Sequence, residues 1–284
     1  MRPPAVGWAR GWRVGVGRVS VRAGVGGPVW EVGLVHPHEL VGNGALKVVG
    51  LHGWLSDRMG FAPLWPHLDT DAFTYAFPDV RGYGEAMGMA GEYTLDEIAG
   101  DVLGLVDGLG WDAFSIVGHS MGGMAAQRVM LAAPGRVRAI VGISPVPAGG
   151  VPLDDEGWAL FSGAAEEPAN RRVIIDMTTG GRLTGRWLDD MVRASVRRSE
   201  PAAFAAYLPQ WARTDISQQV RGSAVPVKVI VGEHDPALSA DFMRATWLEW
   251  YPNAELEVMA NAGHYAPHET PVALATSIEE FLKR

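Results

Sequence analysis

"SIVGHSMGG", residues 115–123, sets Ser120 two residues from a glycine on either side, with a further glycine at 123. A serine hydroxyl has no special reactivity alone, so the spacing matters only if it builds a place that activates it. The stretch fits G-x-S-x-G, a tight strand-to-helix turn that leaves the serine projecting above a sheet. Side chains at 118 and 122 of such a turn would collide with the neighbouring strand and helix, so Gly118 and Gly122 are sterically demanded. The pattern is short and recurs by chance; context gives it weight. "DAFSIVG" before it reads as a buried strand, and residues 121–133 after it as a helix.

Outward from this turn, "FTYAFPDV" reads as strand, residues 94–109 as helix and "VRAIVGIS" as strand, an alternation that means parallel βαβ units. The helix after Thr94 opens on a capping box, "TLDE", in which Thr94 and Glu97 satisfy each other's free backbone N–H groups. Ile98, Val102, Leu105, Val106 and Leu109 line one face and Gly110 ends it. A second block runs "VPVKVIVG" as strand, 239–250 as helix, "AELEVMA" as strand and 271–282 as helix, the last starting at Thr270 and Pro271.

Three earlier strands, "WRVGVGRVSVRAG", "VWEVGLVHP" and "ALKVVGLHG", have no helix between them and predict antiparallel pairing. The last two are separated by the turn residues Gly42, Asn43 and Gly44. Residues 147 to about 217 break the rhythm with helical pieces such as "GRWLDDMVRASVRR" and no strand. The expected organisation is therefore an α/β core domain, 1–146 and 218–284, with a helical lid at 147–217 inserted through "VPAGGVP", residues 146–152, read as a hinge or linker.

The 284-residue chain is 48% hydrophobic and 20% charged, ordinary globular composition with room for a sizeable core. Its formal net charge of −8 argues against a general nucleic-acid binder, which needs a basic face. Without cysteine it has no disulfide, thiolate ligand or thiol nucleophile. Five arginines precede the first acid, Glu31, but no apolar run follows them that would make a signal peptide or a membrane span. A cytoplasmic protein acting on a small molecule is expected.

A serine nucleophile needs a base, and the base an orienting acid. Of eight histidines, His264 in "NAGHYAPHE" lies just past the last predicted strand, at the end of the sheet where the serine turn sits. His268 borders the final helix and is expected to face solvent. His36 and His38 form an H-x-H pair with no third ligand nearby, His119 reads as structural, His67 has no distinguishing context, and His234 neighbours the acid. That acid is Asp235, in the loop after "VIVGEHD"; Glu233 at the strand end and Asp241 inside the following helix compete less well. The chain order Ser120, Asp235, His264 is one of the known orders of such a triad. Oxyanion donors are expected from the backbone N–H of Met121 and of Trp54 in "LHGWLSD", with the Trp54 indole walling the pocket. Met121 and the lid tryptophans Trp158, Trp187 and Trp211 complete the candidate substrate contacts, with at least one of the three expected to line the pocket. No metal or organic cofactor is required.

The chain resembles the α/β-hydrolase family over nearly its whole length, in the H-G-x loop at 52–54, "PDVRGYGEA" at 78–86, "GHSMGG", "GEHD" and "NAGHYAPHETP", in family order. The resemblance implies a mostly parallel sheet flanked by helices. Ser120 separates the chain from family members with an aspartate nucleophile, the dehalogenases and epoxide hydrolases, and leaves esterases, lactonases, C–C bond hydrolases and perhydrolases. A single glycine before Trp54 resembles members acting on small or medium acyl groups. In the family the D-x-R-G-x-G loop is structural, which implies a supporting Asp79–Arg81 ion pair. A carboxylesterase is the expectation, with a C–C bond hydrolase, a lactonase or perhydrolase, and a non-catalytic binding protein as rivals.

Overall fold

The computed structural model describes residues 36–284. Seven strands form one sheet: β1 (His38–Gly42), β2 (Leu46–Leu51), β3 (Phe73–Pro78), β4 (Phe114–His119), β5 (Val137–Ile143), β6 (Val227–Gly232) and β7 (Ala254–Met259). Their spatial order is β1-β3-β2-β4-β5-β6-β7, with β1 antiparallel to β3 and every other pair parallel. β3, β4 and β6 are buried along their whole length, as parallel strands covered on both faces must be. Successive side chains divide accordingly: Ile116, Ile140 and Val229 join one apolar cluster, Val117, Val141 and Ile230 the other.

The helices that fill the βαβ units are α1 (Leu95–Gly108), α2 (Met121–Ala132), α8 (Ala240–Ala245) and α9 (Trp247–Trp250), and α10 (Ala266–Glu269) and α11 (Pro271–Leu282) follow the last strand. Thr94 caps α1 as its sequence predicts, accepting from the Glu97 N–H, while Glu97 accepts from Tyr93 rather than from Thr94. Between β5 and β6 stand α3 (Asp155–Gly163), α4 (Pro168–Thr178), α5 (Gly185–Arg197), α6 (Pro201–Arg213) and α7 (Ser217–Val220), all helical as expected.

One reading lies largely outside the described residues and four are corrected, the first being that "ALKVVGLHG", expected to pair antiparallel, forms β2 and runs parallel to both β3 and β4. The strand expected at "WRVGVGRVSVRAG" and most of that at "VWEVGLVHP" lie outside the described residues; the antiparallel strand seen is His38–Gly42, which runs into the turn assigned to Gly42. The helix expected over 239–250 is two short ones, because at Thr246 the backbone turns to φ −125°, ψ −84° while its hydroxyl donates to the Phe242 carbonyl, competing with the helical ladder. "VPAGGVP" is not a free linker: its residues are mostly buried, Val151 N–H donates to Ala212 O and Ile216 N–H to Ala148 O. Asp79 and Arg81 do not pair. Asp79, fully buried at the end of β3, accepts from the Arg58 guanidinium, Arg58 N–H and Glu85 N–H, whereas Arg81 faces α1 and grips Asp101 through two bonds of 2.7 and 2.8 Å.

Candidate active site

Chain direction creates the site. From β2 the chain steps to β3 on one side, then returns to β4 on the other, so the loops leaving β2 and β4 diverge around a crevice at their carboxyl ends. Ser120 leaves β4 there with φ +54° and ψ −118°, a conformation a serine holds only at a cost of roughly 1–3 kcal/mol. The glycines explain how the turn is possible. A Cβ at Gly118 would lie 2.4 Å from Gly122 O, and one at Gly122 only 2.1 Å from Leu51 O. Ser120 N–H donates to Ile143 O, and its carbonyl accepts from Gly123 and Val146, so the strained residue is tied on both sides.

His264 and Asp235 meet across the adjoining loops. The His264 Nδ1–H donates to Asp235 Oδ2 at 2.7 Å, and Asp235 Oδ1 accepts from the Ala237 and Leu238 N–H groups at 3.0 and 3.1 Å. Burial pushes the Asp235 carboxyl up, but His264 and the amide donors outweigh it and hold it below the usual carboxylate range. With its proton on Nδ1, a neutral His264 keeps Nε2 bare as an acceptor. His264 and Ser120 line the same cavity. The competing acids lie elsewhere: Glu233 pairs with His234 and accepts from Asn261 N–H, and Asp241 pairs with Arg244 at the surface.

Met121 is the first residue of α2, where N–H groups have no partner within the helix. Its side chain is 1% exposed in the core and is not among the residues lining the cavity. Trp54 does line the cavity; its indole N–H donates to Phe204 O at 2.7 Å and its ring stacks on Phe204 at 3.9 Å. His52 braces the same loop, its Nε2 accepting from Val80 N–H and its Nδ1–H donating to Gly53 O, a role its sequence context did not signal.

The cavity has a volume of about 110 Å³. Of the three tryptophans Trp158, Trp187 and Trp211, Trp211 alone lines it, together with Leu153, Phe161, Ile174 and Met177 from the segment between β5 and β6 and Leu238 from the loop after β6. Trp54, Phe161 and Trp211 pack ring against ring at 5.5–5.8 Å. Trp158 instead stacks under the Arg213 guanidinium at 3.3 Å, and Trp187 packs on Tyr265 and His268, so neither reaches the cavity. His268 is thereby half-buried against Trp187 rather than fully exposed, and burial pushes it down to about 4. His119, expected to be structural, is buried but also lines the cavity beside Ser120; its Nε2–H donates to His264 O, and burial and then the proximity of His264 push it down to about 3. His36 Nε2 bonds Asp79 O and His38 Nδ1 bonds His36 O, and among the described residues no cluster of three or more His, Cys, Asp or Glu stands ready for a metal.

A sequence profile described as "alpha/beta hydrolase fold" matches residues 48–271. The chain belongs to the α/β-hydrolase family. Within it, the chain is 29% identical over 220 residues to a 2-hydroxymuconate semialdehyde hydrolase of Pseudomonas putida, covering 72% of this chain and 75% of the relative. It is 28% identical over 238 residues to the dihydrolipoyllysine-residue acetyltransferase component of an acetoin cleaving system of Cupriavidus necator, covering 80% of this chain but only 61% of that protein's length. In three dimensions it resembles a thermophilic esterase from Thermogutta terrifontis, with TM-score 0.75, 24% identity and 87% and 92% of the two chains covered. An enol-lactonase from Burkholderia xenovorans LB400 superposes with TM-score 0.74 at 21% identity, covering 87% and 96%. Likeness at these identities speaks for the α/β-hydrolase fold, the seven-stranded, mostly parallel sheet flanked by helices. Among the described residues no helix is long and apolar enough to cross a membrane.

Proposed function

We propose that this α/β-hydrolase is a serine esterase cleaving small to medium, neutral, largely apolar carboxylic esters, with residues 147–217 as the lid over the substrate. One observation carries the choice: the surface of the cavity is mostly apolar, and the described residues lining it include no lysine or arginine. A substrate carboxylate would be desolvated there without a cation, at a cost of several kcal/mol. Most arginines of residues 147–217 are engaged elsewhere: Arg172 with Asp189, Arg186 and Arg193 with Asp190, Arg198 with Asp57, Arg213 over the Trp158 ring, and Arg171 with Ala164 O and the hydroxyls of Ser195 and Ser199.

In this reading Ser120 Oγ attacks the ester carbonyl as His264 Nε2 takes its proton. The Trp54 and Met121 N–H groups receive the developing oxyanion, and Asp235 stabilises the imidazolium while keeping its Nδ1–H in place. His264 returns the proton to the departing alkoxide, leaving an acyl-Ser120. Water, deprotonated by the same Nε2, attacks that acyl group; as the C–Oγ bond breaks, His264 returns the proton to Ser120 Oγ and the acid is released. The cavity volume is somewhat below the 150 Å³ or so that takes up a benzene molecule, so the acyl group is compact, about one ring or a short chain.

A second reading has one favouring observation, the likeness to a 2-hydroxymuconate semialdehyde hydrolase, which would make this chain a C–C bond hydrolase of a carboxylate-bearing diketone. The test is a panel of 4-nitrophenyl acetate, butyrate, benzoate and decanoate, a γ-lactone, an anilide and a 2-hydroxy-6-oxodienoate. Butyrate or benzoate is expected to give the highest kcat/KM. Turnover of the dienoate with all esters inert would replace the first reading by the second.

A further inference from the structure

The loop that presents His264 is held by a buried carboxylate. Glu269, whose side chain is 3% exposed, lies five residues beyond His264 and folds back on it through the short helix α10. Its Oε2 accepts from Gly263 N–H at 2.8 Å and its Oε1 from Tyr265 N–H at 3.0 Å. The intervening His264 N–H donates to Thr178 O, at the end of α4, at 3.1 Å. Three consecutive amides around the candidate base are thus each tied to a defined acceptor. The inserted helices close the arrangement from outside: Arg182, between α4 and α5, ion-pairs with Glu269 Oε2 and donates to Asn261 O at 2.9 Å. Gly263 leaves room for it, since a Cβ there would lie 2.7 Å from Thr179 Cα.

We infer that Glu269 is a positioning residue for His264, and that Arg182 is its clamp from the inserted helices. The inference rests on the esterase reading only for its kinetic consequence. A carboxylate supplies two acceptor oxygens to two amides while its charge meets Arg182; a glutamine in its place presents an NH₂ to one of those amides, which then has no acceptor. His264 can then rock about its backbone, and its Nδ1–H leaves the line to Asp235. Thr178, Met177 and Ile174 also line the cavity, so the wall that touches substrate and the brace of the base share one helix end.

The test uses the full chain carrying Glu269→Gln or Arg182→Ala, with folding checked by thermal unfolding. The first readout needs no substrate: the proton NMR resonance of the His264 Nδ1–H and the nitrogen shifts of its imidazole across a pH titration. Glu269→Gln is expected to broaden or abolish the Nδ1–H resonance and displace the titration, and Arg182→Ala to do so in the same direction but less. The second is kinetic: on the best ester, kcat should fall about 10²-fold with KM within about twofold, the signature of a misplaced group rather than a lost binding wall. Unchanged His264 resonances in both folded variants overturn the inference. If Glu269→Gln does not fold, Arg182→Ala decides alone, and unchanged resonances there overturn it equally. A wild-type chain that turns over no ester defeats the esterase reading, while the resonances still decide the brace.

Discussion

The cavity has two unlike sides. Its polar end, Ser120, His264 and the buried Asp235 behind it, comes from loops at the ends of β4, β6 and β7, each fixed by backbone bonds, glycines without room for a Cβ, or a residue at positive φ. Its apolar side, Leu153, Phe161, Ile174, Met177 and Trp211, comes from the segment between β5 and β6, where side chains pack on one another and hardly any backbone is strained. The first side leaves residues at set offsets in the chain; the second demands only that something apolar of suitable volume be present. Chemistry needs atoms placed to within half an ångström or so, whereas a hydrophobic wall tolerates repacking. The contrast predicts that substitutions on the polar end change rate and those on the wall change choice.

The largest effect should come from the polar end. Ser120→Ala and His264→Ala are each expected to lower kcat on the best ester by on the order of 10⁶, and Asp235→Asn by about 10⁴, with unfolding temperatures near wild type. Glu233→Gln and Asp241→Asn should stay within a few-fold. Steady-state kinetics on purified variants checks the series, and a greater loss at Asp241 than at Asp235 would move the acid.

On the wall, Trp211→Ala and Phe161→Ala should change the kcat/KM ratio between butyrate and decanoate esters by about tenfold, because a methylene or more of pocket is worth about 1–3 kcal/mol. Trp158→Ala and Trp187→Ala should leave that ratio alone, since one ring lies under Arg213 and the other on Tyr265 and His268. Equal shifts from all four would erase the distinction between wall and outer packing.

The smallest effect concerns the buried ring beside the base. His119 is neutral in the fold and pushed down to about 3, so the unfolded chain binds a proton below about pH 6.5 that the folded chain refuses. Its contribution is therefore complete above pH 6.5 and is lost progressively as pH falls toward 3, at up to about 1.4 kcal/mol per pH unit. Urea unfolding at pH 7 and pH 5.5 should show a smaller loss for His119→Gln than for wild type. An identical loss would mean that other groups carry the pH dependence.

Legibility in the sequence followed the same division. Gly118 and Gly122 were readable because they stand at fixed offsets from Ser120: the Gly118 clash lies within the turn itself, and the Gly122 clash is with the end of the neighbouring strand β2. The α1 cap, the alternation of strands and helices from β3 onward and the positions of Asp235 and His264 at strand ends were readable for the same reason, since periodicity and turn chemistry act over a few residues, whereas the pairing of β2 was not. The Asp79–Arg81 pairing implied by the family resemblance was not kept, because both residues lie past the end of β3 where the strand alternation no longer holds, and only the packing of the loop at 52–58 and of α1 decides their partners.

What the chain determined by itself is the scaffold and the kinds of groups at its open end, because strand period, helix caps and forced glycines are written in short stretches of sequence. Only the tertiary structure decided that Trp211 and not Trp158 or Trp187 faces the cavity, that no arginine of the inserted helices does among the described residues, and that Glu269 folds back on the loop of His264. These depend on how helices far apart in sequence rotate and dock against one another, and an aromatic or a charge carries no mark of the face it will turn inward until that docking has removed it from water.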